Sequence, residues 1–419
     1  MSTWLLEERW RLGQLVRFHR TQSGQSLRML ETRMGRSHTW FSLVEQGEVV
    51  MEPAMWQKVC AALSLSPSED TQQHEMFQEA YDMMLERYVY GDSQALTGFI
   101  GQWVDLHERM LLSVDVVDYL LAMALTAPFD EAGQQPWSTA EVLNALKPLI
   151  AIMTSMQRFI WYLVHGRLLL GKHRYEAARQ ALDQALNEPV SPALEDIGVF
   201  FRVQALSQSY RLYDAMRTYD RLIENFERRG QLYRAIETKL ASVMNLIRMH
   251  HLDSARIRLE GVADFVRQRG RRELFRPMIE MSMLLYLLKG EHETVLRYAA
   301  ELKVHSPRSG FYQAYAAERL QRPVDDFQIA YEDDALEPHA RLYLRLTRHI
   351  RHHQNHHEAQ DEAVNWLLEA YEDFKRYDLF PEATLIYDTL KETLTRARRY
   401  KEAYQVTLDM IEMVKKMLN

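Results

Sequence analysis

His38, Thr39, Ser42 and Leu43 follow one another at spacings that put all four on one side of a helix. Their chemistry suits the edges of base pairs: the imidazole and hydroxyls can donate or accept a hydrogen bond, and the leucine can meet a thymine methyl. Ser37 stands immediately before them, and Arg17, Arg20, Arg28 and Arg36 lie close by in the chain. Guanidinium groups so placed are candidates for phosphate oxygens. The set reads as an element that contacts a double-stranded DNA operator.

Such residues need a rigid carrier, and the surrounding stretch supplies one. Ser26 is a good N-cap, and Leu27, Leu30 and Met34 recur at helical spacing after it. Gly35 can adopt the left-handed conformation that ends a helix. Ser37 caps a second helix with Phe41 and Val44 on its apolar side, and Gly47 closes it. Two short helices joined by a tight turn make a helix-turn-helix.

The stretch resembles the helix-turn-helix of phage-repressor-type (Xre-like) regulators, with Ser26, Gly35, Ser37, Glu45 and Gly47 in register. Leu12, Leu15, Val16 and the run Arg17 to Arg20 resemble that domain's first helix; Pro53, Val59, Ala62, Leu63 and Leu65 resemble its fourth. The likeness covers residues 9 to 66. It departs at Leu27, where the family often has Gln, and at Leu43, apolar at a usual base-reading place.

The chain has 419 residues, enough for two or three domains, and is 47% hydrophobic and 26% charged. With only 16 Gly and 12 Pro it reads as almost entirely helical. Residues 1–66 carry +2 and the rest −9, within a total of −7. A mildly basic head on an acidic body suits a DNA-binding module carried by something that does not touch DNA, and tight binding then calls for two heads. The single cysteine, Cys60, excludes an internal disulfide framework and reads as a core residue in a reducing compartment. Glu7, Glu8, Arg9 and Arg11 interrupt any leader-like apolar run, and the apolar segments at Tyr119–Ala127 and Ile279–Leu288 are too short to span a bilayer. The expected location is cytoplasmic, with no membrane contact.

Three regions are expected: a head at 1–66, a connector of helical hairpins at 67–157, and a repeat array at 158–419. Ser66-Pro67-Ser68 marks the first boundary, with Ser68 as a cap. Helices are expected from Glu69 through Tyr88, from about Ser93 to Leu112 and from Val114 to Ala127, and Ser138 to Glu141 forms a capping box. Beyond 158, Tyr162-Leu-Val-His-Gly166, Tyr175-Glu-Ala-Ala178, Leu182, Ala185-Leu186 and Pro189 resemble a tetratricopeptide repeat. Counted from Tyr175, weaker copies begin after 38, 39 and 40 residues in turn, at Tyr213, Leu252 and His292, and Tyr400-Lys-Glu-Ala403 is another clear one. The fold class is therefore all-α: a small helix-turn-helix domain followed by a right-handed tetratricopeptide-like α-solenoid, whose concave groove suits an extended peptide.

The whole layout resembles the peptide-pheromone regulators of Gram-positive bacteria (the Rap, Rgg, NprR, PlcR and PrgX group), and the phage arbitrium receptors share it. The resemblance implies a homodimer whose repeat domain binds a short signalling peptide and thereby alters dimer geometry and DNA binding. By the repeat register, Arg167, Arg202, Gln208, Met244, Asn245, Arg248, Arg345 and Arg348 face inward as candidate peptide contacts. Arginine suits a carboxylate, and asparagine can pair with a peptide amide. Asn245 in particular is expected to have no packing duty. The other open reading is an interaction protein that sequesters a partner protein and carries a weak or vestigial head. His352 and His356 share a helix face but lack further ligands, so the tract from His349 to His357 reads as a polar turn and no metal or cofactor is expected. No P-loop, GxSxG or GxGxxG stands in a fitting context, so enzymatic chemistry has no residues to rest on.

Overall fold

The structure, a computed structural model, describes residues 9–65, 71–130, 132–268, 272–323, 338–356 and 360–418. The described residues form 22 α-helices, with two short 3-10 turns, in two compact units. One unit comprises residues 1–205 with 224–234, and the other 206–223 with 235–419.

In the first unit the head consists of α1 (Arg9–Gln22), α2 (Leu27–Met34), α3 (His38–Glu45) and α4 (Pro53–Leu63). Local chemistry explains the breaks. Ser26 Oγ accepts from the Met29 amide, Gly35 closes α2 at φ 69°, and Ser37 Oγ accepts from the Trp40 amide. Leu12, Leu15, Val16, Leu30, Phe41, Val44, Val59 and Leu63 form its core. Cys60 is only half-buried, which corrects its expected core position.

The connector contains α5 (Thr71–Tyr90), α6 (Ser93–Asp105), α7 (His107–Leu111), α8 (Val116–Thr126) and α9 (Thr139–Leu146). Ser68 lies outside the described residues, whereas the Ser138–Glu141 capping box is complete. Every residue of α8 is buried, as befits a helix that is apolar all round. Phe77, Trp103 and Tyr119 pack edge to face beside it.

The head docks on this connector through polar groups. Arg11 Nη1 donates to Asp115 Oδ1 at 2.9 Å and to Asp118 Oδ2 at 2.5 Å. Gln78 Nε2 also donates to Asp115, at 2.8 Å, and His74 lies against the same carboxylate. Gln14 Nε2 donates to Gln157 Oε1, whose own amide donates to Asp118. Apart from the half-buried His74 and Gln78 of α5, the side chains of this network are buried, so the charges compensate one another inside the seam.

The repeats begin with α10 (Ser155–Gly171) and α11 (Tyr175–Leu186). A Cβ on Gly166 would stand 2.5 Å from Leu182 Cγ, so glycine is what lets this pair close. Then come α12 (Pro192–Gln208), α13 (Leu212–Arg228), α14 (Leu232–Arg248), α15 (Leu252–Gln268), α16 (Arg272–Leu288) and α17 (His292–Ala299). The repeat motifs at Leu252 and His292 open α15 and α17, as the spacing requires.

The second unit continues with α18 (Pro307–Arg319), α19 (Pro338–His356), α20 (Gln360–Arg376), α21 (Phe380–Arg396) and α22 (Tyr400–Leu418). Here α21 is unusually enclosed: Phe380, Glu382, Ala383, Leu385, Ile386, Leu390 and Leu394 are all buried. The Tyr210 ring lies tilted against that of Phe380 at 4.5 Å, and Tyr315 Oη donates to the Leu385 carbonyl at 3.0 Å. The tract from His349 to His356 continues α19 rather than forming a turn, which corrects that expectation. Among the described residues no helix is long and apolar enough to cross a membrane.

Candidate nucleic-acid interface and ligand-facing repeats

On the head, the cap at Ser37 fixes where α3 starts and therefore which side chains face outward. Arg28, Arg36, Ser37, His38 and Thr39 are exposed, while Ser42 and Leu43 are half-buried. His38 Nδ1 lies 3.0 Å from Glu31 Oε2, which ties the start of α3 to α2. Ser42 Oγ accepts from Gln46 Nε2 at 3.0 Å, and Arg36 lies over the Trp40 ring at 5.6 Å. Arg28, Arg36 and Thr39 thus present donors to the exterior with α2 and α3 as a rigid base.

Arg20 does not. It is 9% exposed, and its Nε and Nη2 donate to the two oxygens of Glu45 at 2.5 and 2.9 Å. Its Nη1 donates to the Gln25 carbonyl at 2.8 Å. A guanidinium buried in a bidentate pair and a carbonyl bond is turned away from the surface where a phosphate would lie, so Arg20 is corrected from phosphate contact to internal brace. Arg17 is half-buried, with Nε 3.9 Å from the same carboxylate. Gly13, which the sequence did not single out, matters as much. A Cβ there would lie 2.5 Å from the Val44 carbonyl, so α1 presses directly on the end of α3.

The eight candidate peptide contacts separate by unit. In the first, Arg167 lies over Phe201 at 4.8 Å and donates to Tyr88 Oη at 2.8 Å, while Arg202 Nε donates to Asp183 at 2.5 Å. In the second, Gln208, Met244, Asn245 and Arg248 come together. Arg248 Nη2 donates to Gln208 Oε1 at 2.7 Å, Nη1 donates to the Ser207 carbonyl at 3.2 Å, and its guanidinium lies 5.7 Å from the Tyr210 ring centroid. Met244 is half-buried against the apolar core. On α19, Arg345 pairs with Asp373 and Arg348 is exposed.

Asn245 overturns the expectation that it has no packing duty. It is 0% exposed; its Oδ1 accepts from Ser207 Oγ at 2.8 Å and its Nδ2 donates to the Leu212 carbonyl at 2.8 Å. Both ends of the amide serve the packing of α14 against its neighbours.

The histidine tract has a packing role too, since the His349 ring lies 4.3 Å from that of Trp366. His357 and the side chains of His353 and His356 lie outside the described residues. Among the described residues no three His, Cys, Asp or Glu side chains gather as a metal site.

Sequence reasoning missed a second cluster in the same unit. Tyr312 and Tyr343 both donate to Glu382 Oε1, at 2.6 and 2.7 Å, and Arg308 Nε stands 4.0 Å from that oxygen. Burial pushes both phenols far up, with the Glu382 carboxylate adding to it, so both hydroxyls stay protonated and donate. These residues come from three helices across a region without a repeat motif, and no local pattern joins them.

A family model described as a helix-turn-helix domain matches residues 11–71. A comparison with the curated protein sequences finds no match. Among solved structures, a Rap protein complexed with competence and sporulation factor aligns over 83% of this chain and 99% of its own, at 13% identity and a TM-score of 0.58. The quorum sensor NprR from B. thuringiensis, in its apo form, aligns over 81% and 99%, at 14% identity and a TM-score of 0.56. The chain is thus an N-terminal helix-turn-helix domain joined to stacked tetratricopeptide-like helix pairs, with the fold seen in the Rap protein and in NprR.

Proposed function

We propose that this chain is a quorum-sensing-type transcription regulator, which binds operator DNA with its head and a short signalling peptide with its repeats. One conjunction carries the reading. A helix-turn-helix with exposed donors on α3 stands in the same chain as a repeat body sharing the fold of a Rap protein complexed with competence and sporulation factor. Thr39, His38, Ser37, Ser42 and Leu43 read base edges, and Arg28, Arg36 and Arg17 hold phosphates. Two heads of a homodimer read half-sites about one helical turn apart. Peptide held in the second unit near Gln208, Met244 and Arg248, with Arg345 and Arg348 as further contacts, selects one arrangement of those repeats and so resets the distance between heads.

Gel shifts on genomic fragments, titrated with peptide extract from the host, test both halves. Retarded fragments whose pattern changes with extract support the reading. Retardation that ignores every extract and peptide library removes the peptide half. The commitment of Arg20, and partly of Arg17, to Glu45 favours a second reading, a partner-sequestering repeat protein with a weakened head. Absence of any shift at low salt selects it.

A further inference from the structure

Glu382 is 3% exposed, yet only one of its oxygens is in use. Oε1 takes both tyrosine hydroxyls; Oε2 has no hydrogen-bond partner among the described residues and is not sealed from solvent. Beside it, a third of the Arg308 side chain is open, though protein groups crowd it on its other sides. Among the described residues no carboxylate comes within hydrogen-bonding distance of that guanidinium, and Glu382 Oε1 stands 4.0 Å away. Glu280, the other acid close to it, accepts from Ser306 Oγ at 2.5 Å. The Tyr343 ring backs the guanidinium at 5.4 Å.

An arginine and a buried glutamate this close would ordinarily shut into a bidentate pair, as Arg20 and Glu45 do in this chain. Here the two tyrosines hold the carboxylate back, and the guanidinium, which leans on the Tyr343 hydroxyl, stands beside a bare acceptor. We propose that Arg308 and Glu382 form a binding site for a group that offers an N–H donor next to an oxygen acceptor, as the main chain of a peptide does. The ligand N–H donates to Glu382 Oε2, and its carbonyl accepts from Arg308. Tyr312 and Tyr343 are positioning residues that aim Glu382. The peptide source rests on the functional reading above; a free amino acid, with its ammonium and carboxylate, carries the same chemistry.

The whole 419-residue chain decides it, with two probes: a randomised linear hexapeptide library and an equimolar mixture of the twenty amino acids. Arg308→Gln leaves a partly open position, and Glu382→Gln keeps an acceptor for both tyrosines, so each variant is first shown to match the wild-type circular dichroism and unfolding midpoint. Peptides retained by wild type are expected to bind each variant roughly tenfold or more weakly by calorimetry, since each loses a charged hydrogen bond. Equal affinity in wild type and both variants overturns the site while leaving the peptide reading standing. Binding of the amino-acid mixture alone, lost in both variants, upholds the site and removes the peptide reading. No binding of either probe to wild type overturns both.

Discussion

Arg20 and Glu45 stand 25 residues apart and meet because α1 runs past the end of α3. Both side chains are nearly enclosed, so removing one strands the other's charge. We expect Arg20→Met to cost about 3–5 kcal/mol and the double variant Arg20→Met with Glu45→Leu to recover most of that. Urea unfolding of all four members of the cycle measures it; additive losses would show that the pair is not coupled. Asn245→Ala is expected to cost about 1–3 kcal/mol, because Ser207 Oγ and the Leu212 carbonyl each lose a buried partner. An unchanged midpoint would mean that water replaces the amide. The contrast shows which residues were legible in the sequence. Ser26, Gly35 and Ser37 act on backbone groups within three or four residues, so type and spacing reveal them. Arg20 and Asn245 act across helices, and their types fit an outer face as well as an inner one.

Most helix ends in the repeats share one device: a residue at positive φ, one more residue, then the next helix. His173, Tyr210, His250, Asp378 and Arg398 hold that place, at φ between 55° and 61°. A side chain is strained there, so Arg398→Gly, at an exposed turn, should raise stability by about 0.5–1 kcal/mol after glycine's own entropic cost. Gly166→Ala should act the other way, by about 1–3 kcal/mol, since the new Cβ must displace Leu182. Thermal unfolding of the two variants should therefore shift in opposite directions. Small residues at fixed offsets made α10 and α11 readable in advance. The helices from α18 to α21 carry no such pattern, and the polar composition of the histidine tract hid a helix that its packing on Trp366 maintains.

Across the molecule, burial lowers the pKa of His19, His107, His165, His292 and His305, with the Leu111 carbonyl working against it at His19. Each imidazole is more easily protonated in the unfolded chain, where its value is about 6.5. Stability from these groups is therefore complete above that value and is lost as pH falls through it towards the lowered folded values. The unfolding midpoint of the full chain should drop steadily from pH 7 to 5, and His19→Gln should flatten part of the slope. A flat profile in wild type would mean that these rings stay hydrated.

The polar seam that seats the head has a further consequence, for wear rather than for strength. Arg11, Asp115 and Asp118 satisfy one another while closed, and each is readily hydrated once apart. An oily seam forced open would expose surface that sticks to other chains; this one would expose ions that water accepts. Parting it is costly, but the groups laid bare at its charged centre are ones that water solvates. A head mounted in this way has charges at the middle of its seat that their own partners match, which favours one docked position over others.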